Sequence, residues 1–127
     1  MKSVYTIALS LVLLPTLPCA GNPVQAVPEQ FLGSWGTSLA DCGGKSDEAS
    51  LHIEADRISY HGGSGPLRAV VVRGKKEVAW VAELTGEGQT WLDASAFVLS
   101  VDGDQLTQRS GTDGEPFIRV RCSSILG

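Results

Sequence analysis

The sequence predicts an all-β domain: an eight-stranded antiparallel up-and-down meander closed into a small barrel and holding one disulfide. From residue 31 onward, short apolar stretches are cut by glycine-rich turns about every 8–12 residues, and none keeps a helical period over three turns. Such even hairpins favour a meander, which removes its exposed edges by closing on itself. Cys42 lies just after the first expected strand and Cys122 ends the last one. A bond between them would join the two strands that closure makes neighbours.

Alternation along the chain locates the individual strands. Residues 51–56 alternate between apolar and polar, the period of two that a half-buried strand requires. In residues 77–84 an apolar set alternates with a second set that includes two glutamates: Val78, Trp80, Ala82 and Leu84 against Glu77, Ala79, Val81 and Glu83. Phe97, Leu99 and Val101 are expected to form another inward-facing set. Strands are therefore expected near residues 33–39, 50–55, 57–61, 66–73, 77–84, 90–100, 105–109 and 116–122, with turns at 62–65, 74–76, 85–89, 102–104 and 111–115.

The N-terminus divides as a secretory signal does. Lys2 supplies a positive charge, residues 4–14 form an apolar run, and Pro15 ends any helix there. A helix of about a dozen residues spans only about 18 Å, which is too short for a bilayer core of roughly 30 Å. The segment is therefore expected to be cleaved and not to insert stably in a membrane.

Two positions suit the signal peptidase. Val24-Gln25-Ala26 has small enough residues at the first and third positions before the cut, which favours cleavage after Ala26, and Pro18-Cys19-Ala20 offers an alternative after Ala20. A lipid on Cys19 is not expected, because a proline precedes it where a small residue is required. Residues 1–26 are thus expected to be a signal peptide, and residues 27–127 a single barrel domain that is periplasmic or secreted.

Composition limits the partners and the chemistry. Removing Lys2 with the signal leaves nine basic residues against 14 acidic ones, a net charge of −5. This excess argues against nucleic acid or an anionic membrane surface as the partner and suits a basic protein. In an exported chain, two remaining cysteines predict a disulfide between Cys42 and Cys122. Zinc would need His52 and His61 as further ligands at no recognised spacing, so no metal or other cofactor is expected.

The two ends of the expected meander carry a short motif. Gly33-Ser34-Trp35 lies on the first strand, and Arg119 and Arg121 lie on the last. This combination resembles lipocalin-type and avidin-type barrels, in which the tryptophan plugs the barrel base and an arginine packs across it. The resemblance implies that Trp35 plugs the base here and that Arg119 or Arg121 covers it.

A glycine-rich stretch between two expected strands is the candidate partner-binding loop. Ser64-Gly65-Pro66-Leu67-Arg68 resembles the serine–glycine loop of periplasmic lysozyme inhibitors, which are small exported β-barrels that insert this loop into a lysozyme cleft. Loops held by a rigid barrel are also where binding residues collect. The residues assigned to the loop are His61, Gly62, Gly63, Ser64, Gly65 and Arg68.

No catalytic constellation stands out. His61 and Ser64 lack the nucleophile elbow and the ordered acid–base partner of a hydrolytic triad, so an enzyme is not expected. The sequence favours a non-enzymatic exported binder of another protein: an inhibitor of a cell-wall hydrolase or protease, or an immunity protein against a toxin. The alternative is a lipocalin-like carrier of a small apolar ligand. Trp80 and Trp91 would line the cavity of a carrier, whereas Trp91 would be an exposed anchor in a protein binder.

Overall fold

A computed structural model describes residues 25–42, 47–109 and 115–122. Apart from its last two residues, the expected signal peptide lies outside these ranges, as does the expected turn at 111–115 apart from Glu115. In the part of the chain that the structure describes, no helix is both long and apolar enough to cross a membrane.

Eight strands form a closed antiparallel barrel in chain order, which confirms the predicted fold class. Strands β1 and β8 pair, with Trp35 opposite Arg121 and Gly36 opposite Val120, and so close the meander. A single 3-10 turn precedes the barrel. The turn spans Glu29–Phe31, and the strands are β1 (Gly33–Gly36), β2 (Leu51–Ile53), β3 (Arg57–Tyr60), β4 (Gly63–Arg73), β5 (Glu77–Gly86), β6 (Gln89–Leu99), β7 (Gln105–Arg109) and β8 (Phe117–Arg121).

The first strand is shorter than the expected 33–39. It ends at Gly36 because the next residue, Thr37, hydrogen-bonds to a side chain and not to a neighbouring strand. Its backbone N–H and its hydroxyl both donate to the Asp47 carboxylate, at 3.2 and 2.9 Å. A backbone N–H satisfied by a side chain is no longer available to a strand partner. The chain therefore leaves the sheet three residues earlier than the apolar pattern indicated.

The expected turn at 62–65 is wrong, because β4 already begins at Gly63. Only His61 and Gly62 connect β3 to β4, with Tyr60 paired to Gly63. A Cβ atom at Gly65 would overlap the backbone carbonyl of Glu83 on β5. Glycine is needed here so that two backbones can approach each other closely, and the strand continues through it.

The barrel interior is filled with apolar side chains. Trp80 of β5 stacks on Phe97 of β6 with ring centroids 4.5 Å apart, and both are almost fully buried. Val101, expected to face inward, lies in the turn after β6 and is 90% exposed. The largest fully buried side chains are Phe31, Trp35, Leu51, Ile53, Ile58, Val78, Phe97 and Leu106.

The two ends of the barrel differ. At the end where β1 begins and β8 ends, which we call the base, the segment 27–32 lies across the strands. The N–H of Val27 donates to the carbonyl of Ala55, and Val27 and Phe31 are both buried. The other end, where the β3–β4 and β5–β6 hairpins turn, we call the mouth.

The predicted disulfide between Cys42 and Cys122 is present, with Cα atoms 5.4 Å apart. A Cβ atom on Gly36 would lie 3.4 Å from each sulfur, so the bond packs on the β1–β8 seam. It therefore ties the segment after the first strand to the residue after the last one. Such a bond is typical of proteins from oxidising compartments.

Candidate functional site

The residues assigned to the partner-binding loop do not form one surface. His61 and Gly62 are exposed at the tip of the β3–β4 hairpin, at the mouth. Ser64 lies within β4 and accepts a hydrogen bond from Arg57 at 3.4 Å. Arg68 is further along the same strand and forms an exposed ion pair with Glu83 at 2.9 Å. The structure therefore leaves only the two-residue turn as a projecting element.

The base is sealed by the tryptophan and one of the two arginines that the sequence motif indicated. Trp35 is 1% exposed, and the guanidinium carbon of Arg121 lies 4.2 Å from the centroid of its ring. Arg121 also donates to the carbonyls of Gln30, Leu32 and Gly103 at 2.6, 2.9 and 3.0 Å. The charge-assisted bonds to Gln30 and Leu32 hold the segment 27–32 across the barrel end, and the bond to Gly103 ties Arg121 to the β6–β7 turn.

Arg119 lies two residues earlier on β8, so it faces the same side of the strand, yet its surroundings differ. It is 6% exposed and donates to the carbonyl of Ala49 at 2.6 Å and to the side-chain oxygen of Gln108 at 2.7 Å. Its guanidinium carbon lies 4.8 Å from the ring centroid of Phe117. Within the described residues no carboxylate lies within 4.0 Å of this guanidinium.

A chain of hydrogen bonds runs beside Arg119. The hydroxyl of Tyr60 donates to Ser95 at 3.4 Å, and Ser95 donates to Asp93 at 2.9 Å. Burial raises the pKa of Tyr60 to about 12, and the nearby Asp93 carboxylate acts in the same direction. Burial lowers the pKa of Arg119, while Tyr60 and the more distant carboxylate of Asp47 oppose that shift.

Asp47 is itself held in place by the segment that follows β1. Desolvation raises its pKa, but hydrogen bonds from the Thr37 hydroxyl, the Thr37 N–H and the Ala49 N–H outweigh it and keep the pKa below its usual value. The same residue, Ala49, offers its carbonyl to Arg119. Asp47 therefore acts on Arg119 across some distance and is not its ion-pair partner.

Tyr60, Asp93 and Arg119 line a recess of about 320 Å³ at the mouth. Trp91 is 40% exposed at its edge, and a Cβ atom on Gly63 would lie 2.7 Å from the Trp91 ring. Glycine at this position thus lets the indole lie over the strand. The mouth recess is lined by Tyr60, Gly62, Gly63, Leu84, Trp91, Asp93, Gln108 and Arg119.

The sequence indicated part of this site and missed the rest. The sequence offers Gly62, Gly63 and Trp91 as partner-binding candidates and Arg119 as a plug candidate, but does not single out Tyr60, Asp93 or Gln108. Their inward parity near the ends of β3, β6 and β7 was the available signal. Trp80, a candidate cavity residue, stacks on Phe97 and also lines a separate, mainly apolar recess of about 410 Å³ beside β4, β5 and β6.

Two other features of the described residues offer less chemistry. The Ser34 hydroxyl and His52 Nδ1 are 2.9 Å apart, but both residues are exposed on the outside of β1 and β2 and neither lines a cavity. No group of three or more histidine, cysteine, aspartate or glutamate side chains within the described ranges is placed to hold a metal ion. The mouth recess brings two aromatic side chains, Tyr60 and Trp91, together with the charged residues Asp93 and Arg119.

Comparison of the chain with models of protein families, with curated proteins and with solved structures finds no match. The resemblances to lipocalin-type barrels and to lysozyme inhibitors thus remain predictions.

Proposed function

We infer that this protein is a non-enzymatic binder of another protein, acting outside the cytoplasm through the mouth of its barrel. The observation that supports the inference is the convergence of Tyr60, Trp91 and Arg119 on one recess. Tryptophan, tyrosine and arginine are the residue types that carry most of the binding energy in protein interfaces. Trp91 is the exposed member and serves as the anchor.

The shape of the mouth also supports binding without rearrangement. A Cβ atom on Gly86 would overlap the carbonyl of Gly62, so the tips of the β3–β4 and β5–β6 hairpins pack backbone against backbone. A rim fixed in this way loses little conformational entropy when a partner binds. The recess is thus preformed for a projecting group of the partner.

A carrier of a small apolar ligand is less well supported. Such a protein needs a mainly apolar cavity that encloses most of its ligand. Here Trp80 and Phe97 stack in the interior, and the apolar recess of about 410 Å³ that Trp80 lines is open to solvent along exposed residues such as Val71 and Ala94. The mouth recess, in turn, is lined by Tyr60, Asp93 and Arg119. The partner we propose is an exported cell-wall hydrolase, a protease or a toxin, and the net negative charge of the chain favours a basic one.

The test is a pair of bulky substitutions at the two ends of the barrel. Gly62→Trp places a large side chain at the mouth, where a Cβ atom meets nothing within 4 Å, and Lys75→Trp places one in the exposed turn near the base. We expect binding to purified exported hydrolases, proteases or toxins, measured by calorimetry, to be lost in Gly62→Trp and retained in Lys75→Trp. Equal binding by the two variants contradicts the proposal.

A further inference from the structure

Within the described ranges of the chain, Arg119 has no carboxylate within 4.0 Å of its guanidinium. Both of its hydrogen-bond acceptors, the carbonyl of Ala49 and the amide oxygen of Gln108, are neutral. A buried guanidinium is expensive unless it is paired with an anion. Because Arg119 lines the mouth recess, an anion that entered the recess would supply the missing charge.

The groups around Arg119 match a planar acceptor. The Gln108 side-chain oxygen accepts from Nη1 of Arg119, so the amide nitrogen of Gln108 is the end that remains to donate to a ligand. Arginine presents its N–H groups as a rigid fork that fits the two oxygens of a carboxylate. Gln108 and Arg119 both line the recess at its β7–β8 wall, and each keeps N–H groups that no hydrogen bond to a described residue uses.

The charged residues around the recess favour a ligand with one negative charge over a phosphate with two. One guanidinium faces the recess, while Asp93 lines the same recess and Asp47 lies further away. A dianion would meet more repulsion than one cation offsets. On the opposite side, Trp91 and Leu84 provide apolar surface for whatever carries the charge.

We propose that the mouth recess binds a carboxylate on an apolar stem, through Arg119 and Gln108 and against Trp91. This proposal rests on the proposed function, because it specifies the group of the partner that enters the mouth. An acidic side chain or a chain terminus of the partner would supply that carboxylate, and so would a small free acid. The chemistry of recognition is the same in each case.

The first experiment compares three probes of the same shape and different charge. Benzoate, benzamide and benzylamine are titrated into the purified protein, and binding is followed through the Nε–H signals of the arginines in NMR spectra. We expect benzoate to shift the Arg119 signal and to bind at least about tenfold more tightly than benzamide, since hydrogen bonds to charged groups are about twice as strong as neutral ones. We expect no binding of benzylamine.

Variants then assign the site. Arg119→Lys keeps the charge but removes the fork, and we expect it to weaken benzoate binding about tenfold. Asp93→Asn keeps the size of the side chain, removes a negative charge from the recess, and is expected to strengthen benzoate binding severalfold. Arg109→Gln, at an exposed arginine on β7, is the control and leaves binding unchanged.

Peptides identify which kind of molecule supplies the carboxylate. A short peptide with a free C-terminal carboxylate is compared with a capped peptide that carries an internal glutamate. Preference for the first indicates a chain terminus, preference for the second an acidic side chain, and binding of benzoate alone a small free acid. Each of these results supports a carboxylate site.

Several results overturn the proposal. They are preferential binding of benzylamine, the absence of binding by any probe, weaker benzoate binding in Asp93→Asn, and unchanged benzoate binding in a folded Arg119→Lys. If Arg119→Lys does not fold, Asp93→Asn decides. Partner binding that is blocked by Gly62→Trp but unaffected by Arg119→Lys would end the carboxylate proposal and leave the proposed function intact.

Discussion

The base and the mouth of this barrel use the same residue type for opposite purposes. Arg121 and Arg119 lie on the same side of β8, two residues apart. Arg121 is covered by the segment 27–32, which gives it two carbonyl acceptors, and its guanidinium lies on the ring of Trp35 of β1. Arg119 has two neutral acceptors and lines a recess. An arginine inside a small barrel is thus a structural plug or an available site depending on what the rest of the chain places over it.

Removing the tryptophan at each end of the barrel should give the largest difference in stability loss between the base and the mouth. Trp35→Ala empties a fully buried site at the base and is expected to lower the free energy of unfolding by about 3–5 kcal/mol. Trp91→Ala removes a partly exposed ring at the mouth and is expected to cost less than about 1 kcal/mol. Urea unfolding under oxidising conditions measures both. Similar losses for the two variants would show that the mouth is as tightly packed as the base.

Replacing each arginine by methionine should also cost more stability at the base than at the mouth, but the difference should be smaller than for the tryptophans. Arg121→Met leaves three carbonyls without their donor and is expected to cost about 3 kcal/mol. Arg119→Met removes a buried charge that has no carboxylate within 4.0 Å among the described residues, and is expected to cost about 1 kcal/mol or less. Chemical denaturation of both variants checks the order. A larger loss for Arg119→Met would assign it a structural role.

Alkaline pH should lower the stability of the folded protein through ionisation of Tyr60 at the mouth. Tyr60 has a pKa of about 12 in the folded protein against 10.0 as its ordinary value, so folding favours the neutral phenol. Its contribution to stability is complete below pH 10 and is lost as the pH rises through 12. The chain has two tyrosines, Tyr5 and Tyr60, so after cleavage at either expected site phenolate absorbance reports on Tyr60 alone.

We therefore expect phenolate absorbance to rise near pH 12 in the folded protein and near pH 10 in denaturant. The control is Tyr60→Phe, in which the free energy of unfolding should fall less steeply between these two pH values. A phenolate transition near pH 10 in the folded protein would place Tyr60 in solvent.

The smallest effect is expected from a single methyl group at the mouth. Gly63→Ala would press on the Trp91 ring, which is partly exposed and free to move outward. We expect a change in stability below about 1 kcal/mol and a shift of tryptophan emission to longer wavelength. Gly62→Ala, where a Cβ atom meets nothing within 4 Å, is the matched control. Identical emission spectra for the two variants would show that the indole does not rest on Gly63.

The barrel architecture was predictable because it follows from the alternation of residues within single strands and from the order of the strands along the chain. Alternation over residues 51–56 and 77–84 identifies strands without knowledge of their neighbours. Closure and the bond between Cys42 and Cys122 then support each other, since both require the first and last strands to be adjacent. These features needed only sequence order and spacing.

The glycines of β4 were not predictable in this way. A glycine-rich stretch is usually a turn, because glycine lowers strand stability. Gly65 is in a strand because the carbonyl of Glu83, eighteen positions later, occupies the space of its side chain. The reason that Gly65 belongs to a strand lies in β5, and residues 62–65 by themselves do not reveal it.

The mouth recess was hidden for a related reason. Parity places Arg119 and Arg121 on one face but does not say which of them the segment 27–32 covers, since that segment comes from the other end of the chain. Tyr60, Asp93 and Gln108 meet only through the combined registers of β3 to β8. Each of them alone is an ordinary strand residue.

The disulfide has a consequence for cleavage of the chain. Cys42 and Cys122 are 80 positions apart, so the bond closes a covalent ring that contains β2 to β8 and leaves β1 with Trp35 outside it. A protease cut in any turn within the ring would leave both fragments in one molecule. A cut between Gly36 and Cys42 would instead free the strand that carries the plug of the base. After such a cut, non-covalent contacts alone would hold residues 25–36 to the ring, among them the pairing of β1 with β2 and β8. We expect a synthetic peptide ending at Gly36 to compete for that place.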